Sequence, residues 1–231
     1  MEIIDNIPIK IDVKAVQRKL HLKREEDLNN VQQVADSVEP FLQPKAMYNV
    51  CYIEKKLEDM VMISGLPFRS KVLRKNLDQV ERVFAYVVTI GEEFDEKITT
   101  CDDLLDKFYL DTIGNVALRS ARKHLRKHLL SQYAVEGMSF MSPGSLTDWP
   151  LEEQKPLFSL IGDVETAIGV KLTNTFLMLP TKSVSGIFFP TEISFYSCQL
   201  CPREKCDGRK APYDDRKAKE YGISNPKLGL K

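Results

Sequence analysis

The sequence has no excess of either charge. Lysine plus arginine and aspartate plus glutamate number 33 each. A general nucleic-acid binder needs surplus cations to displace phosphate counterions, so that class is not expected. Long hydrophobic runs are missing too. The stretch at residues 83–88 is typical of the longest, far short of the roughly 20 apolar residues of a spanning helix, so no membrane segment is predicted. The opening residues, Met1-Glu-Ile-Ile-Asp-Asn-Ile-Pro8, have no basic flank and no apolar core. No signal peptide is therefore predicted, and the expected location is cytoplasmic. Histidine is scarce, with only His21, His124 and His128, which argues against histidine acid–base catalysis. Nucleophile-elbow, phosphate-loop and His-Glu-x-x-His patterns are absent.

Cysteine is sparse but unevenly placed. Of five, Cys51 and Cys101 stand alone, and Cys51 sits in an apolar, strand-like stretch, as a small buried hydrophobe would. The other three form Cys198-x-x-Cys201-x-x-x-x-Cys206. In a reducing compartment that spacing points to metal or redox chemistry rather than disulfides. Two thiolates on one turn can clamp a metal, and a third nearby can close the site. Cys198, Cys201 and Cys206 are thus candidate ligands for zinc or a [4Fe–4S] cluster. Arg203, Lys205, Arg209 and Lys210 would offset their charge. Cys51 or Cys101 is a possible fourth ligand.

The 231 residues suffice for one large domain or two small ones. Residues 1–45 read as a helical arm, with Asp12 capping a helix at 13–20 and a second helix at 27–42. Residues 46–197 read as the main domain, with strands at 47–53, 60–64 and 82–90 and helices at 70–77 and 92–99. Residues 102–130 form a long helix, with a possible break at Asp111 or Gly114. Its apolar stripe faces the core, while Arg119, Arg122, Lys123, Arg126 and Lys127 form a solvated face. His124 and His128 share that exposed face. Residues 138–150 read as a loop and 151–169 as helix. Strands are predicted at 175–179, 183–189 and 195–200. Residues 198–231 are a cysteine-rich segment with a polar tail. The pattern predicts an α+β fold, a mostly antiparallel sheet flanked by helices.

The run Asp163-Val-Glu-Thr-Ala-Ile-Gly-Val-Lys-Leu-Thr-Asn-Thr-Phe-Leu-Met-Leu-Pro180, followed by Thr-Lys-Ser183-Val-Ser185-Gly186-Ile-Phe-Phe189, carries a resemblance. It resembles the activation domain of cobalamin-dependent methionine synthase. There a helix ends in Glu-x-x-x-Gly-x-x-Leu-Thr and is followed by a Pro and a Ser-Val-Ser-Gly turn into a strand. Pro143-Gly144 falls where that family has an Arg-x-x-x-Gly-Tyr loop; this chain has Phe140 for the Arg and Ser145 for the Tyr.

The resemblance implies an S-adenosylmethionine (AdoMet)-binding domain that serves a cobalamin-bearing module of methionine synthase or another corrinoid protein. In that family oxidation leaves inactive cob(II)alamin. The domain presents AdoMet to the cobalt, and an electron donor supplies one electron. By this resemblance Pro143, Gly144, Ser145, Ser183, Ser185 and Gly186 line the AdoMet cleft. Any enzyme activity would be of methyltransferase type, and the chain resembles a stand-alone form of the domain. The alternative is a metal- or iron–sulfur-binding interaction module on the same fold that no longer binds AdoMet. From the residues alone, Ser183-Val-Ser185-Gly186 also suits a tight turn with capping hydroxyls.

Overall fold

The computed structural model describes residues 1–206 and 208–223. Part of the predicted polar tail, position 207 and residues 224–231, lies outside the described residues. The chain opens with β1 (Glu2–Ile4), α1 (Val13–Lys19), α2 (Glu25–Val38) and β2 (Lys45–Lys56). Next come β3 (Met60–Ile63), β4 (Leu66–Arg69), α3 (Lys71–Asn76), β5 (Arg82–Thr89), α4 (Glu92–Thr99) and α5 (Leu104–Gln132). The remainder is β6 (Met138–Met141), α6 (Gln154–Ile161), α7 (Val164–Ile168), β7 (Lys171–Leu172), β8 (Met178–Leu179), β9 (Ser183–Pro190) and α8 (Asp215–Glu220).

The main sheet has the order β4-β3-β2-β5-β9-β6, with β1 also on β2. The pairs β1–β2, β2–β3, β3–β4 and β6–β9 are antiparallel. The expected α+β architecture, a mostly antiparallel sheet flanked by helices, is what forms. β5 is central, and seven of its eight residues are buried. A near-continuous run of Val, Phe and Tyr suits a strand with no solvent face.

The chain divides into two compact units, and β2, β5 and β9 contribute residues to both. The first unit comprises Met1–Tyr48, Val87–Ser131 and Asp163–Val184. Here the Asp12 carboxylate accepts from the Ala15 N–H at 2.9 Å and starts α1 as expected. α5 runs 29 residues without a break at either Asp111 or Gly114. A Cβ there would meet Phe94 Cε1 at 2.8 Å and Lys182 Cε at 3.1 Å. Gly114 is therefore a contact surface, and the hydrogen-bond ladder carries the helix through it. Lys182, 8% exposed, reaches along that surface to Asp111 Oδ1 at 2.5 Å and Asn115 Oδ1 at 3.3 Å. His124 and His128 both depart from the exposed reading: each is half-buried, and His128 Nε2 lies 3.2 Å from the Tyr48 hydroxyl. The predicted strand at 175–179 is instead a small hairpin, β7 on β8. The Thr173 hydroxyl, accepting from the Leu177 N–H at 3.0 Å, closes its turn.

The second unit comprises Asn49–Tyr86, Gln132–Gly162 and Ser185–Lys231. Ser70 caps α3, and the Asp148 carboxylate also accepts from Ser70 Oγ and, at 3.0 Å, from the Val72 N–H. Three expectations are corrected here. Residues 138–141 are not loop but β6, because Ser139, Phe140 and Met141 pair with Phe189, Phe188 and Ile187 of β9. The helix expected over 151–169 is three pieces. A 3-10 turn at Leu151–Glu153 precedes α6, and Gly162, at φ +111°, ends α6 before Asp163 starts α7. Residues 195–200 are not a strand. Phe195 is buried and stacks on Tyr221 at 5.7 Å, and Ser197–Gln199 form a 3-10 turn. The start of the predicted polar tail contains a short helix, α8, capped by Asp214. Among the described residues no helix is long and apolar enough to cross a membrane.

Candidate functional site

The segment after β6 folds into two consecutive turns. Ser145 N–H bonds the Ser142 carbonyl at 3.1 Å, and Trp149 N–H bonds the Leu146 carbonyl at 3.1 Å. Gly144 N–H closes the pair on the Trp149 carbonyl at 2.7 Å. Gly144 takes φ +77°, a conformation that favours glycine, and is exposed. Pro143 is buried beside it and fixes the first turn. Ser145 Oγ turns back onto the Ser142 carbonyl at 2.6 Å, so that hydroxyl is engaged within the loop.

Gly186 of β9 lies against this loop. A Cβ on it would stand 2.4 Å from the Met141 carbonyl oxygen, 2.8 Å from Ser142 Oγ and 3.0 Å from the Tyr86 hydroxyl. Its missing side chain thus admits protein backbone. Ser185 is buried and donates to Gln154 Oε1 at 3.0 Å, tying β9 to the start of α6. The structure therefore brings Gly186 to the loop of Pro143, Gly144 and Ser145. Ser183 belongs to the first unit, where its hydroxyl donates to Thr89 Oγ1 at 3.0 Å. Ser183, Ser185 and Gly186 all lie within β9, so the expected Ser-Val-Ser-Gly turn is strand.

Three buried polar atoms in this stretch have no hydrogen-bond partner among the described residues: Ser142 Oγ, Trp149 Nε1 and Glu153 Oε2. The Trp149 side chain nonetheless lies close enough to the Glu153 carboxylate to favour its ionised form. Burial pushes the Glu153 carboxyl above the usual glutamate range, against smaller opposing effects of Trp149 and Arg69. Unsatisfied buried polar atoms are costly, and in native proteins each is explained by local strain, a catalytic role, an ordered water or a bound group. Sequence reasoning missed Ser142 and Glu153. Adjacency to Pro143-Gly144 was the available signal for Ser142, whereas Glu153 reads as an ordinary acid at a helix start.

The cysteine segment is held by Arg209. Its guanidinium donates to the carbonyls of Cys198 at 2.9 Å, Ala211 at 3.1 Å and Cys201 at 3.2 Å, and to that of Arg203. Cys198 and Cys201 are half-buried and Cys206 is exposed, all as free thiols. Among the described residues no group of three or more His, Cys, Asp or Glu side chains is gathered to hold a metal. Cys198, Cys201 and Cys206 therefore share a loop but form no preassembled site. Cys51 is fully buried, and burial pushes its thiol up, as a small hydrophobe rather than a ligand.

Residues 142–214 match a family described as vitamin B12 dependent methionine synthase, activation domain. The matched span begins at Ser142 and includes the cysteine segment. The fold is similar to that of a solved structure, the MetH reactivation domain bound to AdoHcy. The TM-score is 0.59 at 15% identity, over 86% of this chain and 81% of that one. A comparison with curated proteins finds no match. By sequence over residues 142–214 and by fold over most of its length, this chain is similar to the activation domain of vitamin B12-dependent methionine synthase.

Proposed function

We propose that this protein presents AdoMet for reductive activation of a cobalamin-bearing methyltransferase module, most simply a methionine synthase without an activation domain of its own. The observation that carries this reading is the cluster of buried polar atoms on the family-matched loop, Ser142 Oγ, Trp149 Nε1 and Glu153 Oε2, whose hydrogen-bonding capacity the described residues leave unfilled. AdoMet offers the complementary groups. Its ammonium donates hydrogen bonds, its carboxylate accepts them and its sulfonium is a cation. Glu153 would take a donor or the cationic end, and Ser142 and Trp149 would donate to the acceptor end. The exposed backbone at Gly144 allows close approach. The MetH relative carries AdoHcy, which is AdoMet without its methyl group, and this supports the ligand class. When bound, AdoMet supplies the methyl group. The partner supplies cobalamin, and a separate donor supplies the electron.

Isothermal titration calorimetry with AdoMet and AdoHcy is the test. Saturable binding that weakens at least about tenfold in Glu153→Gln is expected, since a charge-assisted hydrogen bond contributes about 1.5–3 kcal/mol. No binding to the folded protein would overturn the AdoMet assignment.

A second reading has one observation in its favour. Phe140 and Ser145 stand where the resembled loop carries Arg and Tyr. On that reading the fold is kept, AdoMet is lost, and the cysteine segment makes the chain a metal- or iron–sulfur-binding interaction module. The same titration separates the two.

A further inference from the structure

The cysteine loop is physically linked to the 142–149 loop, and Lys210 is the link. The Lys210 backbone N–H donates to Cys198 Sγ at 3.4 Å. Its side-chain ammonium lies 4.5 Å from the centroid of the Phe140 ring. Phe140 is in β6, two residues before Ser142, and packs edge-on against Phe188 at 5.8 Å. One residue thus touches a cysteine sulfur with its backbone and the strand feeding the turns with its side chain.

The cysteine side of this link has the parts of a thiolate site. Cys198 and Cys201 lie on one turn, with the Cys201 N–H 3.4 Å from the Cys198 carbonyl. Arg209 fixes both backbones by bonding their carbonyls, and its charge offsets thiolates. An N–H donated to sulfur is the kind of outer contact that orients a metal-bound cysteine. Residues 203–206 are exposed, so Cys206 can swing toward the other two without unpacking a core.

We propose that Cys198, Cys201 and Cys206 bind a thiophilic metal, either a zinc ion or an iron–sulfur cluster, and that occupancy is transmitted to the 142–149 loop through Lys210. Each ligating thiol releases its proton to solvent as its sulfur joins the metal. Three cysteines leave one position on the metal for water or a small ligand. The metal site stands independently of the AdoMet reading; only its consequence for AdoMet rests on that reading.

The experiment uses the reduced, metal-free full chain, titrated anaerobically with Zn2+ against a chromophoric chelator. Trp149, the single tryptophan, lies in the linked loop and reports by its emission. One zinc per chain is expected, protecting Cys198, Cys201 and Cys206 from alkylation. Affinity should fall more than about tenfold in Cys198→Ser and Cys201→Ser. The Trp149 emission should change in step with zinc, and that change should shrink in Lys210→Met while zinc still binds. Iron with sulfide in anaerobically purified protein would identify the cluster form, and zinc the mononuclear form; either supports the site. No metal in the purified protein together with no zinc uptake, or alkylation of all three cysteines unaffected by zinc, overturns it. Emission unmoved by bound zinc, or moved equally in Lys210→Met, overturns the link.

Discussion

Gly186 and Met141 approach so closely that a methyl group on Gly186 would stand 2.4 Å from the Met141 carbonyl oxygen. The glycine lets β6 and β9 come together beneath the candidate ligand loop. Its neighbour on that side is backbone, which cannot swing away like a flexible side chain. Gly186→Ala should therefore destabilise the protein by about 1–3 kcal/mol, the usual cost of overpacking. Urea unfolding measures it. A change below about 0.5 kcal/mol would show that the strands part easily.

Glu153 is predicted to oppose stability while serving binding. Burial raises its pKa above the ordinary 4.5. A carboxyl raised on folding adds stability that is fully present below the unfolded value and is lost as pH rises through the folded value. At neutral pH the ionised group is therefore a burden. Glu153→Gln should melt at the same temperature or higher at pH 7 and show a flatter stability profile in the acid range. AdoMet affinity of the wild type should fall as acid protonates Glu153, and that dependence should vanish in the variant. A variant that melts lower at pH 7 would contradict this.

Lys182 and Asp111 give a prediction for the first unit. The lysine side chain is 9% exposed and the aspartate side chain 55%, so water screens the pair from one side. Asp111→Ala leaves a buried ammonium with Asn115 alone and should cost about 1–2 kcal/mol, below the 3–5 of a fully buried pair. Lys182→Met, apolar and of similar reach, should cost less. Thermal melts of both variants decide, and the reverse order would contradict this account.

Arg209 is predicted to be irreplaceable by lysine. A guanidinium presents five N–H donors in a fixed plane, whereas an ammonium cannot reach the four carbonyls at once. Arg209→Lys should expose residues 198–211 to limited proteolysis while leaving global unfolding little changed. Equal cleavage rates would contradict this.

Much of the fold was legible where local chemistry decides it. Asp12 announced α1, and the buried run of Val, Phe and Tyr announced β5. Glu92–Thr99 is helical over the expected span. The misses depend on partners far away in sequence. Met138–Met141 is too short to read as a strand without β9 beside it. Glu2–Ile4 is a strand only because it pairs with β2. Phe195 looked like a strand residue, yet Tyr221 supplies its stacking partner. At the site, Pro143-Gly144 signalled the turns, because proline and glycine have fixed backbone meanings. That Ser142, Trp149 and Glu153 carry unpartnered buried atoms could not be read, because burial is a property of the folded chain.

The central claim is AdoMet-dependent activation of a partner's cobalamin. An anaerobic assay tests it most directly: cob(II)alamin methionine synthase lacking its activation domain, a one-electron reductant and AdoMet, with and without this protein. Formation of methylcobalamin is followed by absorbance. This account predicts that the protein accelerates it, and that Glu153→Gln slows it at saturating partner concentration. Methylcobalamin appearing no faster with the folded protein than without it would contradict the account.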